Sequence, residues 1–282
     1  TETGKRIFDK ATELMGFSMP QLCFEENDRL DITEYTQAAM VTASIAMMRV
    51  LEENGIKPDV AAGLSLGEYC ALAAAGVMSD EDAIRTVRQR GILMQEAVPV
   101  GEGAMAAILA LDASAIEEVT GAMEGVWIAN YNCPGQIVIS GEKAAVEDAC
   151  EKLKAAGAKR AVMLNVSGPF HSGMLADAGE RLGEVLSQVE LHEPQIPYVA
   201  NVTAQYVKSA AEVKELLTRQ VSSSVRWQQS VEAMIADGVD TFIEIGPGKT
   251  LAGFMRKISR DVKTLNVEKL EDISKVAEAL KS

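Results

Sequence analysis

The chain has 282 residues, 48% of them hydrophobic, and a formal net charge of −14 at pH 7. That length supports one large domain with a sizeable core, or one domain carrying an insert. The acidic balance argues against nucleic acid as a partner, and the longest nearly apolar run, Ala39 to Met48, is too short to span a bilayer. No signal-peptide pattern opens the sequence, which starts at Thr1 without an initiator Met. Cys23, Cys70, Cys133 and Cys150 show neither CxxC pairing nor metal spacing. They read as reduced core thiols of a cytoplasmic protein.

In chain order, residues 3–15 read as an amphipathic helix with Ile7, Phe8, Ala11, Leu14 and Met15 at helical spacing, closed by Gly16. An acidic loop is expected next, then a helix from about Glu34 to Glu53 ending at Asn54-Gly55. The short apolar run Val60-Ala61-Ala62 reads as a strand leading into Gly63-Leu64-Ser65-Leu66-Gly67, with a helix over Glu68 to Ala75 beyond it. Ser79 reads as the cap of a further helix from Glu81 to about Ala97.

Between Gly101 and Gly168 the pattern becomes strand (Ala104–Leu111), helix (Ser114–Met123), strand (Val126–Tyr131), strand (Gln136–Ser140), helix (Lys143–Lys154) and strand (Lys159–Leu164). That βαββαβ order suffices for a ferredoxin-like subdomain, inserted at 101–168 into a larger α/β domain made of 1–100 and 169–282. Beyond it come helices near Met174–Val189, Glu212–Gln220, Val231–Asp237 and 249–258, strands near Tyr198–Asn201, Thr241–Ile245 and Val262–Val267, and a last helix. Alternating strand and helix favours a parallel sheet covered on both faces.

The Gly-x-Ser-x-Gly pentapeptide implies a sharp strand-to-helix turn with the Ser65 hydroxyl at its apex. An ordinary glycine-bordered turn is the bland alternative. A serine nucleophile needs a base, and only two histidines are available. His192 sits in a polar loop entry and reads as solvated. His171 lies where the chain leaves the small subdomain and re-enters the large one, a place suited to a substrate cleft. A capping or buried structural histidine is the competing reading. Arg85 and Arg88 read as solvated or acid-paired, whereas Arg90 borders an apolar stretch and is expected to be partly buried. A buried guanidinium needs either an internal acid or an external carboxylate held bidentately; the pattern leaves both open.

Several segments together resemble the malonyl-coenzyme A:acyl carrier protein transacylases. They are Gly63-Leu64-Ser65-Leu66-Gly67-Glu68-Tyr69, Arg90-Gly91 with Met94-Gln95, Gly103-Ala104-Met105-Ala106, Gly135 to Gly141, Gly168-Pro169-Phe170-His171-Ser172 and Glu244-Ile245-Gly246-Pro247-Gly248. The resemblance implies an α/β-hydrolase-like parallel sheet with an inserted ferredoxin-like subdomain, and acyl transfer in two stages. Ser65 would take the malonyl group from coenzyme A, with His171 as general base, and pass it to the phosphopantetheine thiol of acyl carrier protein. Arg90 would hold the malonyl carboxylate, the Gln220 backbone carbonyl would orient the imidazole, and the Leu66 N–H would be an oxyanion donor. Phe170, before the base, agrees with malonyl-preferring members; Asn130 and Asn132 would line the cleft. No cofactor or metal is implied, since the coenzyme A thioester is a substrate, and a cytoplasmic monomer is expected.

Two departures stand out. Leu64 occupies a position where many members carry histidine. The family also opens with a strand and a Pro-Gly-Gln-Gly-Ser-Gln motif, whose first glutamine supplies a second oxyanion donor worth roughly 3–4 kcal/mol. This sequence starts after that point, so the segment is expected upstream or from another chain. The alternatives are an acyltransferase serving a polyketide synthase, a serine thioesterase or esterase, and a carrier-binding module without catalysis. The hydrolase order of Ser, acid and late His is not met, as no histidine follows His192. An acidic carrier would call for a local basic surface, with Lys159-Arg160, Lys249 and Arg256-Lys257 as candidates.

Overall fold

The computed structural model describes residues 1–166 and 168–281; Ser167 and Ser282 lie outside the described residues. Thr1 caps α1 (Glu2–Met15), which buries Ile7, Ala11 and Met15 and ends at Gly16 in the left-handed conformation. A short helix α2 (Met19–Phe24) stands where an acidic loop is expected. Ser18 accepts from the Gln21 N–H at its start and Pro20 sits in its first turn, and it buries Met19 and Leu22. Two apolar anchors in six residues are too few to set up a helical period, so the capping pattern was the only signal.

Helices α3 (Thr33–Glu53), α4 (Gly67–Ala74) and α5 (Asp80–Glu96) fall within a residue or two of expectation. A Cβ on Gly91 of α5 would lie 2.6 Å from the Cα of Glu34, so a glycine is what lets α5 pack this closely on α3. Together with α1, α8 (Ala176–Leu186) and α9 (Ala210–Gln220), these helices enclose the larger core, which includes Ile45, Tyr69, Leu72, Ile84, Leu182 and Leu217.

A second core belongs to strands β1 (Gly103–Leu109), β2 (Val126–Cys133), β3 (Gln136–Glu142) and β4 (Arg160–Met163), with helices α6 (Ala113–Gly121) and α7 (Lys143–Ala155). The four strands form one antiparallel sheet in the order β2-β3-β1-β4. Residues alternate across it. Ala106 and Ile108 face the helices, whereas Met105 and Ala107 face Phe170 on the other side. Phe170 also packs against the larger core, so the segment carrying it is clamped between the two.

The remaining elements are α10 (Trp227–Ala236), β5 (Thr241–Ile245), α11 (Thr250–Ile258), β6 (Lys263–Val267) and α12 (Leu270–Ala279). β5 and β6 pair in parallel. The broad parallel sheet expected from the sequence is present only in part. Val60–Ala62 and Tyr198–Asn201 join through a single parallel bridge, Ala61 to Tyr198, rather than as strands. Val60–Ala62 pairs on one side only, and a cavity of about 1150 Å³ is lined by both this run and β5. A run with a neighbour on only one side makes few ladder bonds. Beside this cavity, Asn132 Oδ1 and Trp227 Nε1 are buried without a hydrogen-bond partner among the described residues. No helix is long and apolar enough to cross a membrane among the described residues.

Candidate active site

The elbow is built from contacts that only glycine permits. A Cβ on Gly63 would fall 1.9 Å from the Gly67 carbonyl oxygen, so the backbone closes on itself there. Ser65 has φ of 50°, a left-handed conformation that a serine rarely adopts. Asn201 holds it in place: its Oδ1 accepts from the Ser65 N–H at 2.6 Å and its Nδ2 donates to Gly63 O at 2.7 Å. Leu66 follows as the N-terminal cap of α4.

His171 shares the left-handed strain, with φ of 57°, and is buried. Its Nδ1 lies 2.8 Å from the backbone carbonyl of Gln220, and its Nε2 lies 2.7 Å from Ser65 Oγ. A carbonyl can only accept, so Nδ1 carries the proton and Nε2 is left as the acceptor facing the hydroxyl. Burial, then the nearby Arg90 charge, pushes the imidazole down to about 4. It is therefore neutral near pH 7. His192, by contrast, is exposed, with Glu190 3.9 Å away.

Arg90 is only 1% exposed, deeper than the partly buried side chain expected. Its Nη1 donates to Gln37 Oε1 at 2.8 Å, and Nη2 donates to Ser65 Oγ at 3.0 Å and to Gln220 Oε1 at 3.1 Å. All three direct partners are neutral. Burial lowers the guanidinium below its usual range, yet an arginine stays charged in a protein. Arg85 and Arg88 pair with Asp82 and Glu34, as expected.

The structure thus brings Ser65, His171, Arg90 and Gln220 into one hydrogen-bonded cluster. Phe170 borders it from the preceding position. Asn130 and Asn132 are buried on β2 and line the large cavity beside the elbow, a cavity that Ser65, His171 and Arg90 do not line. Three members went unsingled in the sequence: Asn201, Gln37 and Glu68. Glu68 Oε2 accepts from Gln220 Nε2 at 2.7 Å and from the Asn201 N–H at 3.2 Å. Polar residues of these types are usually solvated, and nothing local distinguishes them. Among the basic candidates, Lys249 lies 3.4 Å from Glu268 and Lys257 Nζ lies 3.4 Å from Gln136 Oε1. Among the described residues no cluster of three or more potential metal ligands occurs.

The acyl transferase domain model matches residues 6–275. The chain belongs to the acyl transferase family. It is 49% identical to a malonyl CoA-acyl carrier protein transacylase of Bacillus subtilis, over 98% of this chain and 89% of that protein. Among solved structures it is similar to a transacylase of that name from Clostridium perfringens, with a TM-score of 0.96, 41% identity, and coverage of 100% of this chain and 90% of the other. It is also similar to a malonyl-transacylase solved in complex with a type II polyketide synthase acyl carrier protein, at TM-score 0.95 and 39% identity, covering 99% and 92% of the two chains.

Proposed function

We propose that this acyltransferase moves a malonyl group from coenzyme A to the phosphopantetheine thiol of an acyl carrier protein, through a malonyl ester of Ser65, in fatty acid biosynthesis. The observation that carries the reading is the position of Ser65 Oγ, held at once by His171 Nε2 and Arg90 Nη2. Nucleophile, base and carboxylate reader converge on one point. The names of its relatives agree with malonyl thioester and carrier as substrates.

In the first stage Oγ attacks the thioester carbonyl while His171 Nε2 takes the hydroxyl proton. The Gln220 carbonyl keeps Nδ1–H in place and favours the imidazolium less than a carboxylate would. The Leu66 N–H, at the positive end of α4, meets the developing oxyanion. Collapse expels the coenzyme A thiolate, which takes the proton from the imidazolium. In the second stage the carrier thiol gives its proton to His171 and attacks the malonyl ester, and Ser65 leaves with that proton. Coenzyme A is thus a leaving group, and the scheme calls for no cofactor. The reading gives Phe170 a wall of the acyl site, and Asn130 and Asn132 a place near the cleft.

Arg90 presents two N–H groups in a fixed fork. A malonyl carboxylate would take both, displacing the contact to Ser65 and freeing the nucleophile while Gln220 stays on the guanidinium. An uncharged acyl group offers no such partner, which is how the site would prefer malonyl. The strand order β2-β3-β1-β4 with two helices supports a ferredoxin-like subdomain at 101–168, inserted in an α/β-hydrolase-like domain of 1–100 and 169–282. A cytoplasmic monomer fits this reading. The relative bound to a polyketide carrier keeps such a carrier as the alternative acceptor.

Steady-state transfer of malonyl and acetyl groups by wild type and Arg90→Ala tests the reading. Malonyl transfer should fall by about 10²- to 10³-fold, and acetyl transfer by far less. Equal losses for the two acyl groups would remove Arg90 as the carboxylate reader.

A further inference from the structure

Glu68 is the second residue of α4, and at 1% exposed it is as deeply buried as Arg90. An acidic side chain in the first helical turn is favourable when solvated, but taking a carboxylate out of water is expensive unless it has a task inside. Its two contacts lead on to both Ser65 and Arg90. Gln220 Nε2, which donates to Glu68 Oε2, also donates to Ser65 O at 2.9 Å, while Gln220 Oε1 accepts from Arg90. Asn201, whose N–H donates to Glu68, accepts from the Ser65 N–H. A primary amide has one donor end and one acceptor end. With the donor end taken by Glu68, only the acceptor end is left to face the guanidinium. A flipped amide would set N–H groups against N–H groups.

Charge gives a second reason. Arg90 contacts Gln37, Gln220 and Ser65 directly, all neutral, and the carboxylate that acts on it electrostatically is Glu68, one amide away. A substrate carboxylate seated on Arg90 would be a second anion in the same buried pocket.

We propose that Glu68 is the positioning residue and internal counter-charge of the carboxylate site: it aims Gln220 at Arg90, balances the guanidinium while the site is empty, and takes a proton from solvent when the substrate carboxylate arrives. This rests on Arg90 reading that carboxylate. One proton moves from water or buffer to a Glu68 oxygen, and no bond of the substrate changes. The carbonyl oxygen of the protonated acid still accepts from Gln220, so the aim is kept. Burial, offset by the Gln220 and Asn201 bonds and by Arg90, pushes the Glu68 carboxyl up to about 7, within reach of the proton concentration near neutrality. The other titratable groups coupled to it are Tyr69 on its own helix and Tyr198, both phenols raised by burial and neutral here.

Calorimetry with an unreactive thioether analogue of malonyl-coenzyme A, in two buffers of different ionisation enthalpy at about pH 8, reads the proton directly. Wild type should take up a substantial fraction of one proton with the malonyl analogue and none with the acetyl analogue. Glu68→Gln, which keeps the acceptor oxygen, should abolish the uptake. It should also bind the malonyl analogue about three- to ten-fold more tightly at that pH, because an anion has been removed, and this gain should vanish as pH falls below about 6. No uptake by wild type, or the same uptake by the variant, overturns the proposal. The wild-type measurement stands alone should the variant fail to fold. If wild type binds the two analogues equally well, it is the Arg90 reading that fails, and the Glu68 proposal with it.

Discussion

Arg90 Nη2 lies 3.0 Å from Ser65 Oγ, so one buried guanidinium touches both the Ser65 hydroxyl and the amide of Gln220. A lysine carries a charge at that position but has no planar fork. With a single nitrogen it would have to serve Gln37, Gln220 and a bidentate substrate carboxylate, whose geometry it does not match. Arg90→Lys should therefore lose malonyl transfer by about 10²-fold while remaining folded. Recovery of near wild-type malonyl kcat/KM by this variant would show that charge alone is read.

The burial of His171 sets the pH range over which it can serve as the proposed base. Its pKa is lowered from 6.5 to about 4, first by burial and then by Arg90, so the imidazole stays neutral well below the usual histidine range. Ser65 acylation by an acetyl thioester, which carries no carboxylate to involve Glu68, should hold its rate down to about pH 5 and lose it through about pH 4. The sign for stability follows the same shift. The unfolded chain binds this proton more tightly than the folded one, so the histidine's contribution is fully present above 6.5 and is lost as pH falls toward about 4. A rate profile with its acid limb near 6.5 would contradict the buried, neutral base.

Two glycines of the elbow should behave oppositely. A Cβ at Gly63 would overlap the Gly67 carbonyl at 1.9 Å, whereas one at Gly67 would meet nothing within 4 Å. Gly63→Ala should cost about 3 kcal/mol or more, because backbone must shift against backbone. Gly67→Ala should stay within about 0.5 kcal/mol of wild type. Urea unfolding midpoints of the two variants decide it; similar losses at both sites would mean that the turn is not closed as described.

What the sequence disclosed followed from how local each signal was. The turn at Ser65 announced itself through glycine spacing, and His171 as the candidate base through the scarcity of histidines. Gln220, by contrast, came only with the family resemblance, because a backbone carbonyl leaves no trace in residue type. Asn201 and Glu68 act across 133 residues of chain, and neither type stands out until the fold has buried it. The helix boundaries were legible because apolar residues recur with the helical period. The extent of the parallel sheet was not, since Val60–Ala62 has a strand's composition but a partner on one side only.

Under the proposed function, Ser65 carries the malonyl group between two thiols. Mass spectrometry of the protein after brief exposure to malonyl-coenzyme A, digested and read at the peptide containing Ser65, tests it most directly. That peptide should gain the mass of one malonyl group, lost when a carrier bearing a phosphopantetheine thiol is added and gained by the carrier in equal amount. A peptide that stays unmodified while malonyl still reaches the carrier would contradict it, as would rapid release of free malonate in place of transfer.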